Sequence, residues 1–280
     1  MKGPDPDRRR LLTAAAAAAL LTPAPRLLAQ PGPPITRAIP SSGEPMPVVG
    51  LGSWITFNVG NDPVARDTCA EVMRAFFAAG GRMIDSSPMY GSSQDVIGYG
   101  LQKLGMPARV FAADKVWIGS GERGRDQIET LFAMKAAGQI RYVGITTSEG
   151  RRHREIEQVM RAHPIDFVQI TYNVLDREVE ARILPLARER GIGVIVNRPF
   201  REGALIRAVE RHPLPPWAAE MDCTNWAQVL LKFVVAHPDV TCVIPATSRV
   251  AHVRENMGAA YGRLPDAELR RRTVADVERL

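Results

Sequence analysis

Residues 69–91 read CAEVMRAFFAAGGRMIDSSPMYG, and the pattern changes three times within them. Cys69, Val72, Met73, Phe76 and Phe77 recur at the three-and-four spacing of a helix with one apolar face. Gly80-Gly81 closes that spacing as helix ends commonly do, and Arg82-Met83-Ile84-Asp85 follows as a short apolar strand. The tight loop Ser86-Ser87-Pro88-Met89-Tyr90-Gly91 then leaves the strand and places a tyrosine five residues beyond an acid.

Working outward, the same unit recurs. Val179, Ile183, Leu184 and Ala187 sit at helical spacing before Gly191, and another apolar strand follows. Strand candidates fall at residues 48–52, 82–85, 109–116, 140–146, 166–171, 192–197 and 241–245, which makes seven. Strands alternating with amphipathic helices predict a parallel α/β sheet with helices outside, closed as a barrel or open and doubly wound. One motif favours the open form. Gly119-Ser120-Gly121-Glu122-Arg123-Gly124 matches the G-x-G-x-x-G of dinucleotide folds, with Glu149 as the ribose acceptor, and implies a Rossmann-type dehydrogenase. The other explanation of the same residues is a flexible glycine-rich loop.

Composition sets the outer limits. At 45% hydrophobic and 24% charged residues over 280 positions the chain is ordinary globular, which excludes disordered, collagenous and disulfide-stapled classes. Half of the net charge of +6 lies before residue 30, and no Lys/Arg block is interleaved with aromatics, so nucleic acid is not an expected partner. Residues 1–29 carry Arg8-Arg9-Arg10 ahead of an apolar, Ala-rich run from Leu11 to Leu21. Such a run is too short to span a bilayer, which takes about 20 residues, but it suits a cleaved export signal ending near Ala29. Stable membrane insertion is therefore not expected. Arg8-Arg9 before a mildly hydrophobic segment points to the twin-arginine machinery as a partner, and to a folded, periplasmic product. Residues 30–47 form a proline-rich entry with a small hairpin near Ser41 to Glu44, and residues 48–280 form the main domain. Cys69, Cys223 and Cys242 are an odd set without metal spacing; Cys69, in a helical stretch, and Cys242, in a strand-like one, read as small buried hydrophobes, and no metal is expected.

In a parallel α/β fold the carboxyl ends of the strands face one rim, so Asp85, Tyr90 and Lys115 can converge there. A neighbouring ammonium favours a phenolate and lowers the phenol toward the working range, and a carboxylate keeps the lysine charged and oriented. The trio could then serve as a general acid. By spacing alone, an Asp85–Lys115 salt bridge beside a solvated tyrosine accounts for the same residues.

At these positions the chain resembles the aldo/keto reductases. The resemblance is carried by Val48-Val49-Gly50-Leu51-Gly52-Ser53-Trp54, by residues 85–91, by Lys115-Val116-Trp117, by Arg141-Tyr142-Val143-Gly144-Ile145-Thr146, and by Val243-Ile244-Pro245-Ala246-Thr247-Ser248. It implies a (β/α)8 barrel of the TIM type, and hydride transfer between NADPH/NADP+ and a small-molecule carbonyl. Tyr90 would protonate the alkoxide, tuned by Lys115 and Asp85. For the cofactor it implies Gln169 and Thr146 at the nicotinamide, Arg198 near the pyrophosphate, Thr247, Ser248, Arg249 and His252 at the adenosine end, and Asn256 near the adenine. Trp54 and Trp117 would line the substrate pocket.

The match breaks in two places. The family's histidine at the end of the fourth strand has no counterpart, because the chain runs from Lys115 through a single helical segment directly to Ile140. About one strand-helix unit is missing, and the seven strand candidates agree with an incomplete barrel. Asn197 also stands where relatives place an aromatic. Three functions follow: a carbonyl reductase whose activity is impaired by the lost histidine, a non-catalytic NADPH-binding pseudoenzyme, and the Rossmann-type dehydrogenase.

Overall fold

The computed structural model describes residues 32–106, 110–116, 122–147 and 150–280. The proline-rich entry ends in the expected hairpin, β1 (Thr36–Ala38) antiparallel to β2 (Pro45–Pro47). Seven short parallel strands follow: β3 (Leu51–Gly52), β4 (Met83–Asp85), β5 (Phe111–Ala113), β6 (Gly144–Thr146), β7 (Phe167–Thr171), β8 (Gly193–Asn197) and β9 (Cys242–Val243). Each lies inside one of the seven strand candidates.

β3, β4 and β5 form one sheet and β6 to β9 another. Parallel bridges Val49↔Val243 and Gly52↔Ala246 join them, with Gly50 N donating to Val243 O at 2.8 Å. A Cβ on Gly52 would lie 2.8 Å from Ile244 O, so this junction needs glycine. The strands therefore run β5-β4-β3-β9-β8-β7-β6, an incomplete barrel of the TIM type. Among the described residues no backbone hydrogen bond joins β5 to β6, and the wall is open there. An order in which the first barrel strand lies beside the last, β3 against β9, is that of a barrel and removes the Rossmann-type reading. The glycine motif lies partly outside the described residues, and helix α3 takes over at Glu122.

Helices cover the outside: α1 (Pro63–Ala78), α2 (Ser93–Leu104), α3 (Glu122–Ala136), α4 (His153–Ala162), α5 (Ile183–Arg190), α6 (Ala204–Val209), α7 (Trp226–Val235), α8 (Val250–Gly258) and α9 (Ala267–Val277). Local chemistry starts and stops them. Asp62 caps α1 by accepting from Ala65 N at 2.9 Å, with Pro63 in the first turn where its missing N–H costs nothing. The α1 residues picked out by spacing, Cys69 to Phe77, are all buried. α5 ends at Gly191 in the left-handed conformation, φ 64°. It begins at Ile183, later than the apolar spacing suggested, because Glu178–Glu180 form a separate 3-10 turn.

The open wall is sealed at its lower end by side chains. Phe111 on β5 stacks on Tyr142 at 5.6 Å, and both meet Phe167 of β7 edge-on at 6.2 and 5.5 Å. Arg141 covers Phe111 at 4.8 Å. Glu44 of the hairpin then ties the two sides, accepting from Arg82 at 2.9 Å, Arg141 at 2.7 Å and Tyr142 at 2.8 Å. Ile39 and Met46 of the hairpin, both fully buried, plug the barrel floor against Met83, Phe111 and Ile244. All three cysteines are buried and free.

Candidate active site

The rim of the barrel is built from strand ends. Asp85 closes β4 and is almost wholly buried; Lys115 leaves β5 two residues after its end. The Lys115 ammonium donates to Asp85 Oδ1 and Oδ2, both at 2.7 Å, and to Ser86 O at 2.8 Å, so its three N–H groups are engaged. It stands 5.2 Å from the centre of the Tyr90 ring. Ser53, following β3, donates to Asp85 O at 2.7 Å and fixes the end of β4 from its other side.

Gln169 reaches the same carboxylate from the opposite wall, its Nε2 donating to Asp85 Oδ1 at 2.7 Å. Its Oε1 accepts from Thr146 Oγ1 at 2.9 Å and from Asn197 Nδ2 at 3.4 Å. Asp85, Tyr90, Lys115, Thr146 and Gln169 thus form one constellation across the barrel mouth. The Gln169 to Asp85 bond and the Ser86 carbonyl as third partner of Lys115 had no signal in the sequence. Asn197, noted there only as a departure, is a working part of the network: it also donates to Thr147 O at 2.9 Å and accepts from Thr171 at 2.8 Å.

The electrostatics differ from the expectation at one point. Tyr90 is half-buried, and its phenol is pushed up to about 12 rather than lowered; burial is the main cause, with the Asp85 and Asp114 charges adding and Arg198 opposing. Lys115 is committed to Asp85, so little net positive charge reaches the phenol. Burial likewise raises the Asp85 carboxyl, against the pull of Lys115 and of the Gln169 hydrogen bond.

The remaining candidates fall into a second group. Thr247 is buried and accepts from Arg249 N at 3.1 Å, with His252 Nδ1 3.4 Å from its hydroxyl. Ser248 and Arg249 are exposed at the start of α8, and Arg249 has no acidic partner among the described residues. Asn256 lies buried farther along α8, in a small cavity with Leu51 and Pro245. Arg198 follows β8 with φ 49° and pairs with Glu202 at 3.0 Å. Trp54 is 41% exposed at the rim, and Trp117 lies outside the described residues.

A parallel barrel with a polar constellation at the carboxyl ends of its strands has the architecture of TIM-barrel enzymes. The comparisons specify it further. The model of the aldo/keto reductase family matches residues 48–127 and 124–275, and the chain belongs to this family of oxidoreductases. It is 26% identical over 258 residues to the methylglyoxal reductase YeaE of Escherichia coli (strain K12), covering 80% of this chain and 89% of that protein. An aldo-keto reductase from Klebsiella pneumoniae, solved in complex with NADPH, superposes with a TM-score of 0.70 at 21% identity, over 88% of this chain and 94% of the other. A glycerol dehydrogenase from Gluconobacter oxydans gives 0.68 at 18% identity over 86% and 94%. Both structures support the fold.

Proposed function

We propose that the protein is an NADP(H)-dependent oxidoreductase interconverting a small-molecule carbonyl and its alcohol, with Tyr90 as the proton donor. The observation that carries this reading is the Lys115 ammonium, pinned by Asp85 and Ser86 and held 5.2 Å from the Tyr90 ring.

The donor set suits the cofactor. Arg249 and Ser248 at the start of α8 place charge and N–H groups where a phosphate would be received. Arg198, now paired with Glu202, would face the pyrophosphate, and His252 and Asn256 the adenosine end. Gln169 has two amide N–H groups and gives one to Asp85, which leaves the other for a carboxamide beside Thr146. When bound, NADPH supplies the hydride. The chain's own residues handle the proton. A carbonyl oxygen at the Tyr90 hydroxyl takes its proton as charge develops, and the Arg198 charge, which favours the phenolate, opposes the cost of the anion left behind; the Lys115 ammonium lies beside the ring. Asp85 anchors that ammonium. With the phenol raised to about 12, Tyr90 keeps its proton at neutral pH, the form that reduction requires.

No histidine lies between Lys115 and Ile140, so the carbonyl lacks the donor other family members place there. Losing one such donor typically costs about 10² to 10³ in rate, which reduces turnover without abolishing it. The family model matches in two pieces that meet at residues 124–127, and this supports an internal deletion of the fourth strand-helix unit. The same loss favours a second reading, a pseudoenzyme that binds NADP(H) without turnover. Residues 1–29 are proposed as a twin-arginine export signal, residues 30–47 as the entry and 48–280 as the mature barrel; recovery of the mature protein from cytoplasm alone would overturn the periplasmic assignment.

The test uses protein lacking residues 1–29, titrated with NADPH by fluorescence and assayed with reactive aldehydes. Turnover that falls more than about 10²-fold in Tyr90→Phe, with unchanged NADPH affinity, supports the reductase. Binding without turnover selects the pseudoenzyme. Absence of binding removes both.

A further inference from the structure

The turn that carries Tyr90 is braced from within. Tyr90 N donates to Ser87 O at 3.0 Å, and Ser93 N donates to Tyr90 O at 3.2 Å. The Ser86 and Ser93 hydroxyls are bonded at 3.2 Å, and Ser92 N donates to Asn58 Oδ1 at 3.0 Å, so α2 starts from a fixed point. The exit of β5, which delivers Lys115, has less around it. Among the described residues its last backbone bond to β4 is Ser86 N to Ala113 O at 2.9 Å, and no strand pairs with its other edge. Asp114 is the next residue. Its Oδ1 accepts from Lys115 N at 2.8 Å, and its Oδ2 accepts from Nε2 of Gln94, four residues beyond Tyr90.

From this placement we infer that Asp114 is a positioning residue for the proton transfer: through Gln94 it clamps the exit of β5 to the Tyr90 turn, where a neighbouring strand is lacking, and its charge bears on the phenol. The inference rests on the reading above, in which Tyr90 gives the proton. The clamp sets where Lys115 stands against Tyr90, and a misplacement of about 1 Å near reacting groups costs up to about 10²-fold in rate. The charged groups that face the phenol are Asp85 from β4, Asp114 and Lys115 from the exit of β5, and Arg198 from beyond β8. Burial raises the phenol most, Asp85 adds to it, Arg198 opposes, and the Asp114 carboxylate adds again by disfavouring a second negative charge beside it. Asp114 thereby helps to keep the proton on Tyr90.

Two variants separate the two effects, with the fold of each checked by circular dichroism. Asp114→Asn removes the charge and can keep both hydrogen bonds, whereas Gln94→Ala keeps the charge and cuts the clamp. Because the phenol lies at about 12, its ionisation is read by ultraviolet absorbance after a rapid pH jump, as the difference between each protein and the same protein carrying Tyr90→Phe. In Asp114→Asn the phenol should ionise at lower pH than in the parent, and the alkaline limb of aldehyde reduction should move with it, while kcat at neutral pH stays close to the parent value. In Gln94→Ala the kcat should fall about tenfold or more with NADPH affinity unchanged. A phenol that ionises alike in the parent and Asp114→Asn overturns the role of the charge, and a parental kcat in Gln94→Ala overturns the clamp. Should the parent not turn over, carbonyl reduction fails on its own, and the phenol still decides the charge. Amide exchange then decides the clamp: it should accelerate over residues 111–116 in Gln94→Ala and not in Asp114→Asn, and exchange unchanged in both overturns it.

Discussion

The two walls of the barrel are built differently. The β6–β9 wall is strongest at its middle, where β7 and β8 have five residues each and are deeply buried, and their ladder pairs all five, Phe167↔Gly193 through Thr171↔Asn197. From β3 to β5 the ladders pair only two and three residues, and the β5 edge has no backbone partner. Yet Asp85, Tyr90 and Lys115 all belong to this second, weaker wall. Their geometry is held by side-chain bonds local to the rim, Lys115 to Asp85 and Ser86 and Ser53 to the Asp85 carbonyl. A site fastened in this way does not depend on the neighbouring strand, and the barrel can be open beside it without scattering the trio.

The largest effect should come from breaking the tie at the rim. Lys115→Met leaves a buried carboxylate without its partner, a loss of about 3–5 kcal/mol, and turnover should fall at least about 10²-fold. Adding Asp85→Asn should restore much of the melting temperature and none of the turnover; recovery of both would show that the pair is merely structural.

The seam at the floor comes next. Phe111 is buried against Tyr142, Phe167 and the Arg141 guanidinium, and Phe111→Ala should cost about 3–5 kcal/mol. Amide exchange should accelerate in β5 and β6 and stay slow in β7 and β8. Equal acceleration everywhere would mean that the two walls do not differ in local stability.

Glu44 should give the smallest effect. Burial opposes its charge, but the hydrogen bonds from Tyr142 and Arg82 and the charge of Arg141 prevail and hold its carboxyl below the usual range. A depressed carboxyl contributes stability above its unfolded value, about 4.3, and loses it as pH falls through the lower folded value. Glu44→Gln should therefore lower the melting temperature by about 2–4 °C at pH 7, corresponding to roughly 1 kcal/mol, and match the parent near pH 3. A difference that is constant with pH would assign the role of Glu44 to shape rather than charge.

Much of this architecture was legible in advance. The seven strands, the buried faces of α1 and α5, the hairpin and the convergence of residues 85, 90 and 115 all follow from spacing and strand direction. Less legible was what each polar group does once it arrives. Lys115 was expected to ease ionisation of Tyr90, whereas its N–H groups are taken up by Asp85 and the Ser86 carbonyl, and burial then raises the phenol. Gln169, assigned to the nicotinamide by resemblance, also holds Asp85 from across the barrel.

The amino-acid order alone determined the alternation of strand and helix, the face each element buries, and the short run of chain between Lys115 and Ile140, because periodicity and chain length are local properties. Only the tertiary structure decided how the open wall is sealed and which partners saturate the site. Glu44 meets Arg141 across 97 residues and Gln169 meets Asp85 across 84, and at such separations the pairing is set by the shape of the packed barrel, on which the intervening chain carries no periodic mark.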